Sequence, residues 1–364
     1  MKILLVSNMY PSINAKNYGV FVQNTENSLI ELGHSIEKII LYKETNKFRK
    51  LINYFIYYMK ILYKGYFGKY DVLYVHYASH NALPLLLLLK LKRNIKIYTN
   101  VHGSDVIPEN KTQSKLQVLV KKLLRKSEKV ITPSNYFKDL IIKKYLISDK
   151  NIIVYPSGGV NNKVFHPIEA KEELYKIYNL DSSYQYIGYV GRIDYKKGWD
   201  VLLDSIKLLK DDNLLTDKKI IIVGNGSQIN EFFQKIEFLG VRENIIYFDF
   251  LNQKELNEIY NLLEIFCFPT MREGESLGLV GIEAMACGVP VIGSKIGGLT
   301  DYIINGGNGY YFEVGNSSDL QNKIIEYFNN SSKIKAGMKK TCIKTSENYS
   351  VESIRGILKE IFYV

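Results

Sequence analysis

Short runs of aliphatic and β-branched residues recur along the 364-residue chain, separated by longer segments in which apolar residues return every three or four positions. The short runs predict strands over Ile3–Ser7, Ile36–Leu41, Val72–Val75, Ile95–Asn100, Val130–Thr132 and Ile152–Tyr155. A second set follows over Tyr186–Val190, Lys219–Val223, Ile245–Phe248, Ile265–Phe268, Val289–Gly293 and Gly309–Phe312. Runs such as Ile220-Ile221-Ile222-Val223 are apolar on both faces, as parallel strands are when helices cover them above and below. Strand alternating with helix indicates a doubly wound α/β fold. The alternation lapses over the polar, helical stretch His166–Ser183 and then restarts. The chain is therefore expected to form an N-terminal domain over residues 1–165, a linker over 166–185 and a second domain over 186–345. Residues 346–364 hold a terminal helix, Ser350–Tyr363, expected to cross back to the first domain.

With 46% hydrophobic and 23% charged residues, a disordered or fibrous chain is excluded. Cys267, Cys287 and Cys342 form no short-spaced metal or redox pair, and so sparse and odd a number suggests a reducing compartment. The run Ile3-Leu4-Leu5-Val6 stops at Ser7 and Asn8, too short for a signal peptide. Leu85–Leu89 falls well short of the roughly 20 residues that cross a bilayer. A soluble protein is expected, in the cytoplasm or on a membrane surface.

Charge is shared unevenly. The net charge is +11, yet residues 1–165 carry 26 basic and 10 acidic side chains, and the remainder carries 22 and 27. A basic first half suits anionic lipid or an anionic acceptor as well as a plain lysine-rich solvated surface. No nucleic-acid-binding motif accompanies the charge, so nucleic acid is not expected as a partner. Within Lys43–Lys69, Leu51, Tyr54, Phe55, Tyr58, Ile61 and Leu62 recur at helical spacing among Lys47, Arg49, Lys50, Lys60 and Lys64. Such a helix lies in a headgroup layer or packs on the core with a cationic outer face.

Open parallel sheets bind ligands outside the carboxyl ends of their strands. Three post-strand loops in the second half gather glycine and charge: Gly191-Arg192-Ile193-Asp194-Tyr195-Lys196-Lys197-Gly198, Gly224-Asn225-Gly226, and Glu273-Gly274-Glu275-Ser276-Leu277-Gly278-Leu279. The third runs into an apolar helix bearing Glu283. If that helix begins near Ser276, its N–H groups and dipole form an anion site. Glu275 then stands at the mouth and Glu283 about 12 Å further along the axis. Hydrolytic carboxylate pairs lie about 5–9.5 Å apart, so this spacing suits gripping the two ends of a nucleotide sugar instead. Arg192 and Lys197 would bring positive charge to the diphosphate between them. Glu283, inside the apolar run Leu279–Ala286, needs a polar partner, which a ribose would supply. Gly224-Asn225-Gly226 lacks the third glycine of a dinucleotide fingerprint, since Ile229 stands there.

Taken together, Gly191-Arg192 with Lys197-Gly198, Glu275 with Glu283, and the segment Ala284-Met285-Ala286-Cys287-Gly288-Val289-Pro290-Val291-Ile292 resemble the family 4 retaining glycosyltransferases. In the first half, Tyr10-Pro11 and Gly19-Val20-Phe21 are similar to that family's glycine loop, and Asn100-Val101-His102-Gly103-Ser104-Asp105 to its HGSD loop. Thr132-Pro133-Ser134 and Gly159-Val160-Asn161 through Phe165-His166-Pro167 resemble its landmarks before the linker. The resemblance spans nearly the whole chain. It implies the GT-B fold, an α/β architecture of two Rossmann-like doubly wound parallel-sheet domains facing a central cleft.

The resemblance also implies roles. Arg192 and Lys197 neutralise the donor diphosphate, Glu283 holds the ribose, and Glu275 with the backbone of Ser276, Leu277, Gly278 and Leu279 holds the donor sugar. Gly191 and Gly224 border the same donor. His102 reaches the sugar from the other domain, and Gly19 lets the backbone approach the phosphate. Tyr18 and Asp105 fall on the acceptor side, Asp105 being equally suited to bracing its loop. Asp249 stands where the family often has glycine near the base, and Gly158 where it has Asn before Gly-Val.

The implied reaction is retaining transfer from a nucleotide diphosphate sugar, UDP ahead of GDP, to a glycan or polyprenyl-linked acceptor in bacterial envelope or capsule polysaccharide synthesis. It would use no cofactor and no metal, and the sequence contains no Asp-x-Asp. The protein would work in the cytoplasm, at the inner face of the cell membrane. Alternatives are a UDP-sugar 2-epimerase of the same architecture, a phosphorylase-like enzyme with lysine-bound pyridoxal phosphate, and a nicotinamide oxidoreductase, which the incomplete glycine pattern disfavours. A non-catalytic basic surface-binding protein would explain the charge but not the Glu275/Glu283 loop.

Overall fold

The computed structural model describes every residue except Asn14, Lys16, Asn17, Arg93, Ser157 and Val364. Its contacts divide the chain into two compact units, Met1–Gly158 together with Glu352–Val364, and Gly159–Val351.

The first unit runs β1 (Lys2–Ser7), α1 (Val20–Glu31), β2 (Ser35–Ile40), α2 (Lys47–Phe67), β3 (Val72–His76), α3 (Ala78–Leu91), β4 (Ile97–Asn100), α4 (Lys111–Lys126), β5 (Lys129–Thr132), α5 (Asn135–Leu140) and β6 (Ile152–Val154). The six strands form one parallel sheet in the order β2-β1-β3-β4-β5-β6. Alternation along each strand sends apolar side chains to both faces. Leu4, Val6, Leu73 and Val75 meet Tyr57, Ile61, Leu85 and Leu123 of α2, α3 and α4. On the other side, Ile3, Leu5 and Tyr74 meet Val22 and Leu29 of α1.

The second unit continues with α6 (Lys171–Ile177), β7 (Gln185–Val190), α7 (Trp199–Asp211), β8 (Lys218–Val223), α8 (Ile229–Leu239), β9 (Ile245–Phe248), α9 (Gln253–Leu262) and β10 (Leu263–Phe268). It is completed by α10 (Leu279–Ala286), β11 (Val291–Ser294), β12 (Gly309–Phe312), α11 (Ser317–Asn329) and α12 (Ser332–Glu347). Its sheet is also parallel, in the order β12-β11-β10-β7-β8-β9. Strand order reverses between β1 and β3 in one sheet and between β7 and β10 in the other. These switch points open a crevice at the carboxyl ends.

All twelve strands lie within two residues of the apolar runs that predict them. The junction lies elsewhere than expected. Residues 159–185 belong to the second unit, because Val160, Phe165 and Leu174 enter its core. The backbone N–H groups of His166 and Ile168 donate to Asn257 and Asn261 of α9, so this stretch is anchored and is not a linker. The first domain therefore ends at Gly158, seven residues before the expected boundary.

The last helix, α13 (Val351–Phe362), begins in the second unit and packs in the first. Its Ile354, Leu358, Ile361 and Phe362 complete the face made by Ile3, Leu5 and Tyr74. Leu358 is fully buried there. Leu358→Ala should cost about 3 kcal/mol, read as a lowered urea midpoint, because it leaves a cavity under β1 and β3.

Candidate active site

In the second unit the loops after β7 and β10 leave neighbouring strands and are fastened to each other. Met271 N–H donates to the Lys196 carbonyl at 2.9 Å. Gly198, which begins α7 in the left-handed region at φ 77°, has no room for a side chain: a Cβ would lie 1.8 Å from the Pro269 carbonyl oxygen. The resulting closeness places Lys197 Nζ 2.8 Å from Glu275 Oε2, with the two side chains only 14% and 12% exposed. Thr270 Oγ1 donates to the same carboxylate oxygen at 3.1 Å. Burial works to raise the Glu275 carboxyl, but Lys197, Arg272 and the Thr270 hydroxyl outweigh it and hold the group below its usual range.

The loop after β8 nests against that after β7. A Cβ on Gly224 would meet the Gly191 carbonyl oxygen at 1.9 Å. Asp194 Oδ1 accepts from both the N–H and the hydroxyl of Ser227, and its other oxygen pairs with Arg192 at 2.7 Å. Arg192 is 66% exposed, so its guanidinium is free to swing from Asp194 to an anion. Asn225 and Tyr247 both donate to Asp249 Oδ1, which fixes the carboxylate at the rim of the same loops.

The helix after Glu275 starts later than the sequence suggests. Gly278 caps α10 with φ 77° and no side-chain cap, so Ser276 and Leu277 belong to the preceding loop. Glu275 is thus not on the helix, and the 12 Å axial spacing expected between Glu275 and Glu283 does not describe their relation. The loop rests on the turn after β11, where Gly298 N–H donates to the Glu275 carbonyl at 3.0 Å. Leu277 and Gly278 are buried there, while Ser276 and Leu279 are half-buried. Glu283 is half-buried on α10, its Oε2 accepting from Tyr260 at 3.3 Å, and burial pushes its carboxyl up to about 7.

In the first unit His102 follows β4, and its Nε2 lies 3.0 Å from His76 Nδ1 with the rings stacked. Phe21 of α1 packs against it as well, 4.4 Å between ring centroids. Burial lowers the imidazole to about 3, so His102 is neutral at working pH. Beside it Tyr77 holds a left-handed conformation, φ 73°, and its hydroxyl bonds Ser104. Asp105 is completely buried, its two oxygens accepting from the N–H groups of Ala78 and His102 at 2.9 Å each. These bonds brace the loop that carries His102. Gly19 holds φ 80°, and a Cβ there would lie 2.7 Å from the Met9 backbone.

Tyr18 lines a cavity of about 260 Å³ at the ends of β1 and β2, with Asn8, Lys43, Glu44, Lys50 and Tyr54. Among residues the sequence did not single out, His76, Thr270 and Tyr260 each touch one that it did. Of these His76 carried a signal, standing like His102 at the carboxyl end of a strand. Among the described residues, no three His, Cys, Asp or Glu side chains cluster as metal ligands.

Two family descriptions match the chain: Glycosyltransferase Family 4 over residues 19–158, and Glycosyl transferases group 1 over residues 170–347. The chain belongs to the group 1 glycosyltransferases. This group 1 enzyme is 28% identical over 347 residues to an uncharacterized glycosyltransferase of Methanocaldococcus jannaschii, covering 91% of this chain and 89% of that one. It is 30% identical to the capsular polysaccharide biosynthesis glycosyltransferase CapM of Staphylococcus aureus, over 56% of this chain and 53% of that one. Among solved structures, sucrose-phosphate synthase from Thermosynechococcus elongatus aligns with a TM-score of 0.82 at 17% identity, covering 100% of this chain and 98% of that one. The Anabaena HepE protein, solved with UDP, aligns at 0.78 and 16%, covering all of both chains. The glycosyltransferase therefore has the GT-B fold, with two Rossmann-like parallel-sheet units.

The two cations of this glycosyltransferase should differ in their structural cost. Lys197→Ala leaves Glu275 buried without its counter-ion and should destabilise the enzyme by about 3 kcal/mol, whereas Arg192→Ala should stay within about 0.5 kcal/mol. Urea unfolding of both variants checks this.

A carboxyl held above its usual range penalises the folded, ionised state. For Glu283 that penalty is complete above about pH 7 and fades as pH falls toward the ordinary carboxylate range. Glu283→Gln should therefore raise Tm over the wild type at about pH 8, and the gap should close toward about pH 5 in thermal melts.

Proposed function

We propose that the enzyme transfers a sugar from a nucleoside diphosphate, UDP ahead of GDP, to a hydroxyl of a glycan or lipid-linked acceptor, with retention at the anomeric carbon and without a metal ion. The observation that carries this reading is the Lys197–Glu275 pair beside the side-chain-free N-terminus of α10, at the switch point of the second sheet. Breaking the bond from the anomeric carbon to the diphosphate oxygen sends its electron pair to the phosphate. Lys197, Arg192 turned away from Asp194, and the first-turn N–H groups of α10 stabilise that charge. The acceptor oxygen bonds the same carbon on the same face, and its proton passes to the departing phosphate oxygen.

Glu275 keeps one oxygen on Lys197 and Thr270 and offers the other to a sugar hydroxyl. Glu283, on the next turns of α10, accepts from the ribose. A neutral His102 serves by hydrogen bonding to the sugar and not as an acid. The cavity lined by Tyr18, Asn8, Lys43 and Lys50 takes the acceptor, its two lysines suiting a phosphate or other anionic group. The capsular relative and the basic first unit favour an envelope polysaccharide intermediate at the cytoplasmic face of the membrane.

Removing a fixed charge aimed at a developing anion costs a few kcal/mol. Arg192→Ala and Lys197→Ala should each lower kcat with a UDP-sugar at least about a hundredfold. Transfer should continue in EDTA, and NMR should show the donor's anomeric configuration in the product. Near-normal turnover by both variants would overturn the reading, as would epimerisation of the donor when it is incubated alone.

A further inference from the structure

Helix α2 is apolar on two opposite sides. Its inward side, with Tyr57, Ile61 and Gly65 buried, packs on the sheet and on α3. Its outward side carries Phe48, Ile52, Phe55, Met59, Tyr63 and Phe67 at successive three- and four-residue steps, a stripe running most of its length of about 30 Å. Phe48, Phe55, Tyr63 and Phe67 are each 67–72% exposed. The periodicity read from the sequence had merged these two sides, since Leu51 and Phe55 point outward while Tyr54, Tyr58 and Leu62 pack inward. Exposed aromatic rows of this extent mark an interaction surface.

The charge around the stripe says what kind. Helix α2 has five lysines and arginines, α3 one and α4 six, and none of the three carries an aspartate or glutamate. Helices α2, α3 and α4 lie side by side on one face of the first sheet, and α3 and α4 add exposed Leu83, Leu87, Leu91 and Val118. Two copies of so uniformly basic a face repel each other, which argues against self-association. Nucleic acid would match the charge but not a continuous apolar row. An anionic lipid leaflet matches both, taking aromatic side chains into the headgroup boundary and lysines onto its phosphates.

We infer that the α2–α3–α4 face of the first unit docks on an anionic membrane, with the outward stripe of α2 inserted at the headgroup level. Lys50 and Tyr54 of the same helix line the cavity that holds Tyr18, so docking brings that cavity to the lipid surface. The docking does not depend on the transfer reaction, and it is tested without substrate.

The full chain is sedimented with vesicles of phosphatidylcholine containing phosphatidylglycerol, and with phosphatidylcholine alone, at low and high salt. The wild type should bind the anionic vesicles at low salt and release as salt rises. Phe55→Gln/Tyr63→Gln/Phe67→Gln, all at exposed positions, should reduce the bound fraction at least about tenfold while keeping the wild-type Tm. Arg49→Glu/Lys60→Glu should do the same by charge alone, so that each arm checks the other. No binding of the wild type to anionic vesicles at low salt overturns the inference. So does undiminished binding by the triple variant, or a dimer in sedimentation velocity that the triple variant dissolves while vesicles go unbound.

Discussion

Holding a lysine and a glutamate together out of water fixes how closely two loops must approach. Lys197 and Glu275 come from loops after β7 and β10, strands that are adjacent in the sheet although β8, β9 and helices α7, α8 and α9 lie between them in sequence. Their pairing at 2.8 Å requires the β7 loop to run against Pro269, which only a glycine at 198 permits. It also requires the segment leading into α10 to be propped from behind by Gly298. An uncompensated charge at either position would be expensive. The loop architecture and the electrostatics of the second unit are therefore one arrangement.

Three ionisable groups in the two units are tuned in different directions by their surroundings. Glu275 is kept ionised by a cation and a hydroxyl that outweigh burial. Glu283, bonded to the Tyr260 hydroxyl, is pushed up by burial to about 7. His102, enclosed by Phe21 and His76, is kept neutral. A permanent anion, a carboxylate near its titration point and an uncharged imidazole are three different tools made from common side chains by packing.

Sequence periodicity conveyed the sheets almost completely, because strands buried on both faces leave unbroken apolar runs such as Ile220–Val223. It conveyed the site's main residues for a related reason: they follow those strands. Contacts that leave no pattern in hydropathy were not legible. His166–Ser183 reads as a polar connector, and the bonds of His166 and Ile168 to the side chains of Asn257 and Asn261 fasten it to α9. The start of α10 was misplaced because glycine caps it, with no serine or aspartate to mark the position. The crowding that Gly19 relieves against Met9 is likewise a contact made through the fold, which hydropathy does not mark.

Helix α13 closes the hydrophobic face over Ile3, Leu5 and Tyr74 with residues synthesised after the entire second unit. A ribosome adding about 5–20 residues per second leaves that face uncovered for on the order of ten seconds or more. During that interval the nascent first unit presents an open apolar sheet surface while the second can already complete its own core. The order of completion is thus inverted relative to the order of translation.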